Sequence, residues 1–63
     1  MAHDFRVYIG SKQKGPAYES FRVANTFAAA AARINPLVFV YQVVEGKENM
    51  PIMSAKWVEG KRV

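Results

Sequence analysis

Sixty-three residues leave room for one small domain and no second, because a chain of this size hides only about 60% of the surface that its unfolded form exposes. With 51% hydrophobic and 22% charged residues the composition is ordinary for a globular protein, and the lack of cysteine excludes a disulfide scaffold, a thiolate metal site and a thiol nucleophile. Nine Lys and Arg against five Asp and Glu give a net charge of +4, which suits acidic partners such as nucleic acid, anionic lipid or an acidic protein surface, and equally suits plain solubility.

Phe5 to Ile9 alternates with period two, setting Phe5, Val7 and Ile9 against Arg6 and Tyr8, the pattern of a half-buried strand. Gly10 to Pro16 is rich in turn formers, carries Lys12 and Lys14, and reads as a loop. Tyr18 to Val23 alternates again and predicts a second strand, hairpin partner of the first. Asn25 or Thr26 can cap a helix, and the alanine run from 28 to 32 favours one ending at Arg33 or Ile34, with Asn35 left-handed and Pro36 forbidding continuation. Phe27, Ala30, Ala31 and Ile34 then form the stripe expected against the sheet.

Leu37 to Val44 is apolar throughout and reads as a central strand covered on both sides. A polar turn over residues 45–49 precedes a last strand, Met50 to Val58, in which Met53, Ala55 and Trp57 alternate with Ile52, Ser54, Lys56 and Val58. Residues 59–63 read as a turn with a basic end. The expected fold class is α+β in two layers, order β-β-α-β-β, with one short helix on a mainly antiparallel four-stranded sheet.

Chemistry is sparse. His3 is the sole histidine and stands near the chain start, the five carboxylates show no paired acid and base spacing, and the serines have no base beside them. Gly10 to Gly15 lacks the Gly-Lys-Ser/Thr ending of a phosphate-cradling loop. The expectation is a non-enzymatic protein with no cofactor and no metal. No apolar run approaches the roughly 20 residues of a membrane span, and the start lacks the basic and apolar regions of a signal peptide, so a cytoplasmic chain with no membrane partner is expected.

A surface remains. Strand alternation would place Arg6, Tyr8, Tyr18 and Arg22 together on the face opposite the helix, with Lys12, Lys14, Lys61 and Arg62 at the rim, an aromatic and basic patch of the type that stacks on bases or anchors protein interfaces. Tyr41, Lys56 and Trp57 could extend it, their faces being undecided. The same residues also fit a plain solvated sheet face. A lone helix on the sheet further suggests a homodimer that covers the open face and the strand edges.

The order of a short strand, a Gly and Lys loop, Phe21-Arg22-Val23-Ala24-Asn25-Thr26 leading into the alanine helix, and Val38-Phe39-Val40-Tyr41-Gln42-Val43 resembles small phage-encoded host-takeover proteins of the RNA polymerase inhibitor or anti-CRISPR type. That resemblance implies docking on a host protein or nucleoprotein complex in the host cytoplasm, without chemistry of its own. Many such inhibitors are acidic mimics of nucleic acid, whereas this chain is basic. The same order is also similar to a small archaeal-type ribosomal protein, which implies a nucleic-acid-binding module using the Arg and Tyr face.

Overall fold

The computed structural model describes residues 2–63. Among them, five antiparallel strands form one sheet in the order β2-β1-β3-β4-β5, where β1 is His3–Ile9, β2 Lys12–Gln13, β3 Leu37–Val44, β4 Ile52–Val58 and β5 Lys61–Arg62. One helix, α1 (Phe21–Ala31), lies on one face. The fold is α+β in two layers, with five strands rather than four.

The first turn is set by Gly10, whose φ of 62° supplies the positive angle that a two-residue hairpin loop needs at its first central position. It pairs Ile9 with Lys12 and Tyr8 with Gln13. The returning chain then stays beside β1: the Lys14 amide donates to the Val7 carbonyl, and Tyr18 exchanges both backbone hydrogen bonds with Phe5. Between these contacts Gly15, at φ 80°, and Pro16, which has no N–H, interrupt the ladder. The second strand expected at Tyr18–Val23 is therefore reduced to a two-residue strand further upstream and one bridge at Tyr18.

The helix begins earlier than the alanine run suggests. Ser20 is extended (φ −127°, ψ 147°) and its Oγ accepts from the Val23 amide, so Ser20 is the N-cap and not Asn25 or Thr26. At the other end Asn35 works through its side chain and amide: Nδ2 and the backbone N both donate to the Ala31 carbonyl, at 2.9 and 3.0 Å, without a left-handed backbone.

Starting at Phe21 turns the helix, and the buried stripe becomes Ala24, Ala28 and Ala32, with Phe21 and Ala31 half-buried beside it. Phe27 is 53% and Ile34 86% exposed, so neither anchors the helix as the alanine-centred reading expected. Small residues do so instead, packed in one cluster with Val7, Val38, Val40 and Ala55. Asn25 Oδ1 accepts from Trp57 Nε1 at 3.2 Å, tying the helix to β4.

β3 is the central strand; the helix covers one of its faces, and the other is covered only at Val43, which is buried beside Asp4 and Arg6. Val38 and Val40 are wholly buried under the helix, whereas Phe39 and Tyr41 are half-buried on the other side. In β4 the register shifts between Val40 and Tyr41 of its partner: Val40 opposes Ala55 and Tyr41 opposes Met53, leaving Ser54 as the extra residue of a bulge. The regular alternation expected along β4 breaks there, so that Met53 joins Lys56 on the open face and Ile52 lies on the helix side. Glu59 and Gly60, both at positive φ (51° and 82°), form the tight turn into β5, so the basic chain end is a strand. No helix of the described residues is long and apolar enough to cross a membrane.

Candidate functional site

Alternation along three adjacent strands assembles the open sheet face. The Cα register sets Tyr8 beside Phe39 and Phe39 beside Lys56 in one cross-strand row, and Arg6 beside Tyr41 and Tyr41 beside Met53 in the next. Residues two apart share a face, so all six point away from the helix. The rings of Tyr8 and Tyr41 meet edge to face with centroids 5.3 Å apart, and Phe39 and Tyr41 lie 5.8 Å apart. Three aromatic rings on the two central strands thus form one platform, held by mutual packing in the T-shaped and tilted geometries that ring quadrupoles favour.

Cations frame the platform. Arg6 donates from Nε and NH2 to the two carboxylate oxygens of Asp4, at 2.8 and 3.2 Å, which ties the guanidinium to Asp4 and keeps it above its ordinary range of ionisation. Glu48 lies below the usual carboxylate range, because N–H groups of its own backbone and of Gly46 donate to it and Arg6 adds attraction. Lys56 ends the row of Tyr8 and Phe39, and Lys61, opposite Val58, carries the positive rim to the sheet edge. Among the described residues no group of three His, Asp or Glu side chains is placed to hold a metal ion.

Of the residues that the sequence nominates, Arg6, Tyr8 and Lys61 share this face and the others do not. Tyr18 lies on the helix side, because its bridge to Phe5 gives it the orientation of Phe5, and its ring stacks on Phe27 with centroids 5.0 Å apart. Arg22 is on an exposed turn of α1, not on a strand. Lys12 and Lys14 oppose Ile9 and Val7 at the helix-side edge, and Arg62 lies 5.5 Å over the Phe21 ring. Tyr41 and Lys56 do extend the patch, whereas Trp57 turns to the helix.

Phe39 is the member that sequence reading missed. Its signal was the alternation of Phe39 and Tyr41 with fully buried Val38 and Val40, which an all-apolar strand conceals until one face is known to be open. Comparison of the chain with protein family models, curated proteins and solved structures gave no match.

Proposed function

We propose that this protein is a non-enzymatic binding module whose open sheet face holds single-stranded nucleic acid. One observation carries the reading: Tyr8, Phe39 and Tyr41 form a continuous aromatic platform on the central strands, with Arg6 and Lys56 at the ends of its rows. Bases stack on such rings regardless of sequence, at about 1–3 kcal/mol for each base, while Lys56 and Lys61 alongside would take the phosphates and Arg6 stays paired with Asp4. A duplex keeps its bases in their own stack and offers this face only phosphate. The excess of positive charge supports the same reading, since each neutralised phosphate releases counterions.

The test is fluorescence anisotropy with labelled dT12 and rU12 against a duplex of equal length. Single strands should bind more tightly, with an affinity that falls as salt rises from roughly 50 to 200 mM. Tyr8→Ala and Tyr41→Ala should each weaken binding at least tenfold, while Arg22→Ala, off the face, should not. Equal affinity for the duplex, or indifference to both tyrosine variants, would reject the platform.

The inhibitor reading, docking on a host protein or nucleoprotein complex, is favoured by a different observation, the apolar outer side of α1.

A further inference from the structure

The helix is apolar on two sides. Its inner stripe is the alanine row already described; its outer stripe is Val23, Phe27 and Ala30, spaced 4-3 and therefore aligned along one side of the helix, and Ile34, in the turn just past the Ala32 C-cap, continues it. These are not incidental exposures. Val23 is 45%, Phe27 53% and Ile34 86% exposed, while the fully buried side chains are no larger than valine. A helix apolar around most of its girth belongs in an interior. The accessible surface is 4461 Å², about a tenth above the roughly 4,100 Å² that a monomer of this mass presents.

The charges around the stripe identify what covers it. Arg22 stands three residues before Asn25, which bonds Trp57 of β4, and so borders the stripe on that flank, while Arg33 follows in the turn past the helix beside Glu59; both arginines are exposed. On the opposite flank Tyr18 stacks on Phe27, and the hydroxyl of Tyr18 reaches the position of Gly15, which brings Lys14 and Lys12 of the adjoining edge to that side. α1 itself contains no acidic residue; Glu19 and Glu59 lie only at its two ends.

Cations on both flanks argue against a second copy of this chain. An antiparallel pair would set Arg22 and Arg33 of one copy against the same residues of the other, and a parallel pair would set them against the lysines. An apolar ridge at 4-3-4 spacing between two basic margins matches an apolar seam at the same spacing between two acidic margins. The geometry points to an acidic amphipathic helix of another protein, packed along Val23 and Phe27 of α1 and Ile34 of the turn that follows it, as the partner of this face. This surface is separate from the sheet platform, so the two can be occupied independently.

The experiment uses the whole protein and two synthetic 18-residue helical peptides with the same leucine stripe, one with glutamate and one with lysine on its margins. Binding is read by isothermal titration calorimetry, and its location by amide chemical-shift mapping. The glutamate peptide should bind at least tenfold more tightly than the lysine peptide and shift Val23, Phe27 and Ile34, leaving Tyr8 and Tyr41 unmoved. Ile34→Ser, at a site too exposed to affect folding, should weaken it about tenfold, as should Arg22→Glu combined with Arg33→Glu, while Tyr8→Ala should not. No binding of the glutamate peptide at millimolar concentration, equal binding of both peptides, or shifts confined to the sheet face would overturn the proposal. So would a dimer seen by sedimentation that Ile34→Ser dissociates, or binding to phosphatidylserine vesicles that the glutamate peptide fails to displace. Loss of peptide binding with intact oligonucleotide binding in Ile34→Ser would separate this face from the nucleic-acid platform.

Discussion

Replacing Ala28 by leucine tests the small-residue seam on which this fold rests. Ala28 is fully buried, in the same cluster as Val7, Val38 and Val40. Leucine adds three carbon groups, whose burial would be worth about 2.4 kcal/mol if the site had room, at ~0.8 kcal/mol each. Between the helix and a floor of Val7, Val38, Val40 and Ala55 packed against it that room is absent, so the gain is forfeited and the helix is pushed off the sheet, at a typical net cost of about 1–3 kcal/mol. A domain of this size holds roughly 3–9 kcal/mol in total. A loss of about 2 kcal/mol corresponds to a fall in Tm of roughly 8–16 °C. Thermal unfolding followed by circular dichroism measures it, with Ala30→Leu as the control: that residue is on the exposed side, and leucine is nearly as good a helix former as alanine. An Ala28→Leu protein melting at or above the wild-type temperature, or an equal loss in Ala30→Leu, would refute the packing described.

Ser20→Ala should cost about 1 kcal/mol by removing the Oγ acceptor of the Val23 amide, while Thr26→Ala should change stability little; urea unfolding that ranked them the other way would move the helix start. Glu59→Asn should raise Tm by a few degrees, because asparagine adopts positive φ more readily at the first position of the turn that Gly60 completes; a lower Tm would contradict the turn geometry. Glu48 titrates below its unfolded range when folded, so its contribution is present above pH ~4.3 and is lost as pH falls through the folded value. Glu48→Gln should therefore flatten the decline of Tm as pH falls below about 4.3, and an unchanged slope would place the acid sensitivity elsewhere. Asn25→Ala should cost about 1 kcal/mol by leaving the half-buried Trp57 Nε1 without its acceptor, and should shift the tryptophan emission; no change in either would remove this link between helix and sheet.

Local chemistry decided the parts of this protein that depend on neighbours along the chain. Alternation from Phe5 to Ile9, the turn residues after it, the branched and aromatic run from Leu37 to Val44 and the stop at Pro36 all express steric limits that act within a few residues, so β1, β3, a helix ending ahead of Pro36 and the α+β class are legible without coordinates, although the helix stops at Ala31 and not at Arg33 or Ile34. That Arg6 and Tyr8 share a face follows from the same period. What required the tertiary structure is every feature set by which surface an element meets. Tyr18 to Val23 fits a strand by alternation and fits a helix by the recurrence of Phe21, Ala24 and Ala28. The choice fell to the Ser20 cap and to the close approach that alanines permit over Val7, Val38 and Val40. That choice turned the helix, moved Tyr18 and Arg22 off the sheet face, and left Phe27 and Ile34 outside. In the same way an apolar β3 carries no mark of which side stays open. Only a helix resting on Val38 and Val40 exposes Phe39 and Tyr41 beside Tyr8, because alternation fixes which residues share a face and packing alone fixes which face is covered.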